Sequence, residues 1–118
     1  MIDLLRTLLM VTGVRDQDRP IPQSFKLYQN RPNPFRASTS IQIDVSTSAQ
    51  NTPTSVKIYN ILGQEVAALF TGQLTTGSHS FPWQGLDRNG SRVPGGVYFY
   101  VLESGRIRET RKLLYLGN

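Results

Sequence analysis

Apolar and polar residues alternate strictly through SIQIDV, which puts Ile41, Ile43 and Val45 on one side of an extended chain and Gln42 and Asp44 on the other. A period of two is that of a strand with one face buried. Val56 and Ile58 share a face in VKIYNI, EVAALF follows, and SHSFPW collects His79, Phe81 and Trp83 on one side. FKLYQN at the front, with VYFYVLE and RIRETRKLLYL at the end, brings the predicted strands to seven. The stretches between them carry turn chemistry. STSAQNTPTS and TGQLTTG read as loops, LGQ folds VKIYNI back on EVAALF as a hairpin, Asn89-Gly90 suits the positive φ of a tight turn, and Ser104-Gly105 joins the last two strands.

The period fails between the first two strands, in YQNRPNPFRAST. Pro32 and Pro34 each fix a backbone angle, lack a donor and bias Arg31 and Asn33 toward extended conformations, so the segment cannot pair as a central strand. It is expected to cross from one sheet to the other. Phe35 would be the apolar plug that anchors the crossing to the core, and Asn33 would hydrogen-bond backbone groups exposed by the kink. Short strands at these spacings predict an all-β chain, an Ig-like seven-stranded antiparallel β-sandwich. The cysteine pair of antibody domains is absent, so that likeness is architectural.

The first 24 residues differ in character. Ile2, Leu5 and Leu9, flanked by Leu4, Leu8 and Val11, recur at the spacing of a short amphipathic helix that Gly13 would end. Asp3 and Arg6 interrupt the apolar run and no small-x-small cleavage pattern follows, which argues against a secretory signal, and the run is too short to span a bilayer. A helix of that length needs a surface to cover its stripe, either the domain itself or a second copy, the latter giving a homodimer through residues 1–13. VRDQDRPIPQS reads as a linker, so the expected division is an N-terminal segment over 1–24, helical or disordered, and a folded domain over 25–118.

Composition changes this picture little. The 118 residues have room for one domain, and their 10 glycines and 7 prolines, spread along the chain, suit short strands and turns. The absence of cysteine excludes disulfides, thiolate metal sites and cysteine nucleophiles, and leaves the compartment open. The net charge of +5 comes largely from the last quarter, where six basic residues from Arg88 onward face only Glu103 and Glu109. Those charges alternate with apolar strand positions and have no aromatic stacking motif among them, so they read as a solvated strand face and hairpin tip, with no nucleic-acid partner.

Candidate reactive groups fare no better. His79 is the only histidine, and Asp44, Glu65 or Asp87 would have to converge on it from separate loops to hold a metal. Its place beside Phe81 and Trp83 in the alternation predicts a packed or rim histidine. There is no Gly-x-Ser-x-Gly elbow to present a serine. The Asp87 to Gly90 stretch resembles the start of a calcium loop without the ligands that must follow, and so reads as a turn. VYFY fits an aromatic platform or a sandwich interior. The expectation is no catalytic residue, cofactor, metal or small-molecule substrate.

Taken in order, YQNRPNPFRASTSIQI, VKIYNILGQEVAAL, GSHSFPWQGLDRNGSRVPGGVYFYVLE and ETRKLLYL resemble successive blocks of the type A C-terminal sorting domain of the type IX (Por) secretion system of Bacteroidetes-type bacteria. They also resemble the related Ig-like domain of the flagellar hook-capping protein. The resemblance runs from about Phe25 to Leu116 and rests on Pro32, Asn33, Pro34 and Phe35, on Leu62 and Gly63, on Trp83, Gly85, Gly96 and Tyr98, and on Lys112, Leu113 and Leu114. Gln84 stands where an aspartate often follows the tryptophan, and Gly117 and Asn118 replace a short basic ending.

The resemblance implies a delivery tag rather than an enzyme. Such domains sit at the end of exported cargo that crosses the inner membrane by the general route. The folded domain is then recognised by outer-membrane secretion machinery and commonly removed by a sortase. The chain would be the end of a longer protein, its cargo lying upstream, destined by way of the periplasm and outer membrane for the cell surface or medium. The other class the same residues allow is a structural or adhesive Ig-like module, built into a hook-cap-like assembly or binding carbohydrate or protein.

Overall fold

The computed structural model describes residues 25–46 and 52–117; the predicted helix and dimer contact of residues 1–13, and the linker after them, lie outside the described residues. The strands are β1 (Phe25–Leu27), β2 (Thr39–Val45), β3 (Pro53–Tyr59), β4 (Glu65–Gln73), β5 (Gly77–Trp83), β6 (Gly96–Ser104) and β7 (Ile107–Tyr115). They form two antiparallel sheets, ordered β1-β2-β5 and β4-β3-β6-β7. The period-two reading places the inward faces of β2 and β3 correctly. Ile41, Ile43 and Val45 from one sheet and Val56, Ile58, Tyr98, Tyr100 and Leu102 from the other are all buried between the layers. Each such aliphatic side chain contributes about 1.5–3 kcal/mol.

Strand ends depart from the sequence reading in ways that have physical reasons. FKLYQN is a strand only as far as Leu27, after which a bridge between Arg31 and Ser40 is the last backbone pairing with β2. The predicted loop STSAQNTPTS gives up its last residues to β3, which opens on Pro53, where a missing donor does no harm. Thr54 then faces inward and is satisfied by Ser104, their hydroxyls 2.9 Å apart. At the other end β3 stops at Tyr59, so Ile61 belongs to the turn. Gly72, read as a breaker, is inside β4 with φ +148°, a backbone angle that favours glycine. VYFY is not buried on both faces: Tyr98 and Tyr100 point inward, whereas Val97 is exposed and Phe99 half-buried on the outer side.

The two borders of the sandwich are closed differently. Along β4 the ladder with β3 slips twice, between Val56 and Lys57 and between Ile58 and Tyr59, and the Phe70 ring lies 5.4 Å from that of Phe81. Bulges of this kind twist an edge away from further pairing. Along β7 the inward row contains Arg111, which reaches across to donate to the Leu27 carbonyl at 3.0 Å. The basic run is thus only partly a solvated face, since this guanidinium ties the two sheets together.

Tyr100 performs the same task at the centre. Its buried hydroxyl donates to the Tyr28 carbonyl at 2.7 Å and accepts from the Asn30 amide at 2.9 Å, and burial pushes its pKa up. Tyr100→Phe strands both backbone groups and is expected to lower stability by about 2 kcal/mol, read by urea denaturation. A change below about 0.5 kcal/mol would mean that water replaces the hydroxyl.

Candidate functional site

Most of the residues singled out in the sequence converge on one end of the sandwich, around the proline corner. Arg31 still belongs to the first sheet, exchanging backbone bonds of 3.0 and 2.8 Å with Ser40. Four residues on, Phe35 has joined the second: its amide donates to the Leu114 carbonyl at 3.1 Å, and its own carbonyl accepts from the Leu116 amide at 2.8 Å. The crossing expected from the prolines is therefore present. The peptide bonds before Pro32 and Pro34 are both cis.

Asn33 does hydrogen-bond backbone, though not that of its neighbours. Its side-chain oxygen accepts from the Leu114 amide at 2.9 Å, 81 residues away, so the corner covers the outward edge of the last strand. Two residues that the sequence reading passed over hold the corner from beneath. Asn30 is buried and donates to the Pro32 carbonyl and to the Thr39 hydroxyl, which itself donates to the Pro32 carbonyl at 2.8 Å. The signal was present: Thr39 keeps the inward phase of Ile41 and Ile43, so a polar group there needed a buried partner.

Phe35 is 2% exposed, as an anchor should be. Its ring stacks on Tyr115 at 4.9 Å and leans on Trp83 at 5.7 Å, and Trp83 meets Tyr98 edge-on at 5.4 Å. The polar tips are satisfied: the Trp83 indole donates to the Leu86 carbonyl, Tyr98 donates to the Pro94 carbonyl, and Arg92 donates to the Tyr115 hydroxyl at 2.9 Å. Gly85 is required by this cluster, because a Cβ there would lie 2.5 Å from Cζ of Tyr115 and the backbone has φ +74°. Gly96 opens β6 opposite Tyr115, and Leu113 is buried opposite Tyr98, while Lys112 and Leu114 are on the outer side. Tyr115 is the member that the sequence reading did not single out.

Leu62 and Gly63 sit apart, on the hairpin between β3 and β4. The Asn60 side-chain oxygen accepts from the amides of Leu62 and Gln64, its amide group donates to the Gln64 side chain, and backbone bonds join Asn60 to Gly63 and Gln64. Gly63 has φ +80°, which completes the turn. Leu62 is largely in solvent.

His79 and Asp87 are engaged in architecture. His79 is half-buried, with Nε2 2.7 Å from the Thr75 carbonyl and its ring stacked near Phe81. The Asp87 carboxylate accepts from the amides of Asn89 and Ser91, the bonds of a turn. Among the described residues no three acidic, histidine or cysteine side chains are grouped to hold a metal.

Asp44, on the outer face of the first sheet, accepts from Ser78 at 2.6 Å and Tyr28 at 2.5 Å, and these bonds, that of Ser78 first, hold its carboxyl below the ordinary value. The same contact with Asp44 raises the Tyr28 hydroxyl. A depressed carboxyl adds stability that is complete above its unfolded pKa of about 3.9 and is lost as pH falls through the lower folded value. Melting temperature should therefore fall on acidification through and below that range, and Asp44→Asn should flatten part of that fall. The site is open to solvent, so the effect is small. Superimposable curves for the two proteins would show that these bonds do not discriminate the ionised carboxyl.

Two antiparallel sheets closed at one end by an aromatic plug and a crossing corner define an immunoglobulin-like module. The FlgD Ig-like domain family matches residues 30–106, and the chain belongs to that family. Among solved structures, dimeric latent PorU from Porphyromonas gingivalis is similar at 20% identity and a TM-score of 0.63, over 91% of this chain and 10% of that one. PorZ from the same organism, described as an essential surface component of its type IX secretion system, is similar at 20% identity and a TM-score of 0.50, over 76% and 11%. FlgD from Pseudomonas aeruginosa is 22% identical with a TM-score of 0.45, over 78% and 64%. The chain spans about a tenth of the PorU and PorZ chains, and at these identities what is shared is the fold. No curated protein sequence matches it.

Proposed function

We propose that this chain carries a non-catalytic, type A C-terminal sorting domain that directs an exported cargo protein through type IX secretion machinery to the cell surface or medium. The observation that carries this reading is the closure of the corner on the terminal strand. Asn33 and Phe35 hold Leu114 and Leu116, so the first and last of the blocks that resemble the sorting family become one structural unit. A signal built this way exists only in the folded domain, which suits recognition by a machine that meets its cargo folded. The fold shared with PorU and with PorZ, a type IX component by its description, supports the reading. Partners would be the outer-membrane machinery, a sortase and a cargo domain upstream. The match to the FlgD Ig-like domain favours a second reading, a structural module within an assembly of hook-cap type.

Fusing the full chain behind a passive reporter with a general secretion signal, in a type IX-competent host, separates the two. The reporter is expected at the surface or in the medium after fractionation. A reporter that stays in the periplasm with its domain folded and intact would sink the sorting reading in favour of the assembly module.

A further inference from the structure

Two large aliphatic side chains stand in water at one end of the sandwich: Ile61 is 72% exposed and Leu62 77%. They are held there firmly, on the turn that Asn60 pins through its side chain and backbone. A turn needed only to reverse the chain would carry polar residues at its tip.

The apolar surface continues beyond that tip. Ile61 and Leu62 line a shallow groove with Pro94, Val97 and Tyr98. Val97 pairs with Leu114 across β6 and β7, and both, with Leu116, are exposed. Cations border this surface. Lys112 lies two residues before Leu114 on the same outer side, and Arg36 follows Phe35 where the corner meets Leu116. Neither takes part in an ion pair among the described residues, whereas Glu65, opposite Tyr59, is already engaged by Lys57 and Arg88.

We infer that this end of the sandwich is the face by which the domain is read, and that its partner is a protein surface with an apolar socket for Ile61 and Leu62, ringed by carboxylates that meet Lys112 and Arg36. The inference rests on the sorting reading. A contiguous apolar patch on a rigid support differs from scattered surface leucines in that little ordering is needed on binding. Relief made of a knob beside a groove offers a shape that a protein can match, and the unpaired cations call for an anionic rim that a second copy of this same surface does not supply.

The test uses the full chain behind the reporter, with Ile61→Ser plus Leu62→Ser, Lys112→Glu plus Arg36→Glu, and Gln73→Ala at the far end of β4 as control. Because Ile61 and Leu62 are exposed, melting temperature should stay within about 2 °C of the parent. Delivery should drop about tenfold or more in the aliphatic pair, severalfold in the charge pair, and not in the control. Parental delivery by the aliphatic pair overturns the inference and leaves the sorting reading standing. Failure of the parent itself to be delivered overturns both. Two further results would also overturn it: pelleting of the parent with vesicles of about one-third anionic phospholipid, lost in the aliphatic pair, would give the face to a lipid. A dimer in sedimentation, lost in the same variant, would give it to a second copy.

Discussion

Phe35→Ala is expected to lower stability by about 3–4 kcal/mol, the range for emptying a fully buried phenylalanine site. The ring makes an apolar contact with both sheets at once, touching Trp83 of β5 and Tyr115 of β7. Its removal leaves a cavity between two large aromatic rings whose own positions are fixed by hydrogen bonds to Leu86 and Arg92, so the site cannot collapse easily. For a domain of this size the melting temperature should fall by roughly 15–25 °C. Because total stability is on the order of 5–15 kcal/mol, an appreciable unfolded fraction at growth temperature follows at the lower end. Phe35→Leu restores part of the volume and should recover part of the loss. A Phe35→Ala protein that melts with the parent would mean the two backbone bonds to Leu114 and Leu116 hold the corner by themselves.

The contrast between Phe35 and Asn33 shows what could be read from the sequence. That Phe35 is buried followed from local facts: two prolines that forbid pairing, then a large apolar residue with no strand to belong to. That the corner lies on the last strand did not follow, because nothing within several residues of Asn33 encodes a partner 81 positions away. The same division runs through the molecule. Alternation placed the inward faces of β2, β3 and β5, since a half-buried strand writes its period into consecutive residues. The ends of β3 and β4 were missed because Pro53 and Gly72, punctuation in isolation, are compatible with a first strand position and with an edge strand already distorted by bulges.

The family motifs follow this rule at the candidate site. Trp83, Gly85, Gly96, Tyr98 and Leu113 are unremarkable singly, and only the fold shows why they belong together: the glycine makes room for Tyr115, and the rings fill the end that the corner closes. Leu62 obeys a different logic, because its side chain contributes nothing to that packing while its backbone amide is pinned by the Asn60 side chain. A residue that the fold fixes but does not bury is where a surface function is to be sought.

Removing residues 112–118 should abolish both the cooperative fold and delivery. The cut takes Leu113 and Tyr115, both fully buried, and the pairing of β7 with residues 96–99 of β6. It also leaves Phe35 and Asn33 without the backbone they hold. Burial of the two side chains alone contributes about 3–6 kcal/mol, and the exposed rings of Phe35 and Trp83 add to the loss, which together rivals the whole stability of a small domain. Loss of near-ultraviolet circular dichroism and of a melting transition is the expected result. Truncation cannot by itself tell a folded signal from a linear address carried by the tail, since both lose the same residues. Tyr115→Ala can: it keeps the rest of the tail while removing the ring on which Phe35 stacks, at a loss of about 3–5 kcal/mol. If the machinery reads the fold, delivery by Tyr115→Ala should fall as its folded fraction falls and recover when the cells are grown cooler. Full delivery of a chain that is unfolded by proteolysis and circular dichroism would mean the last residues act as an extended address, with the sandwich serving only to present them.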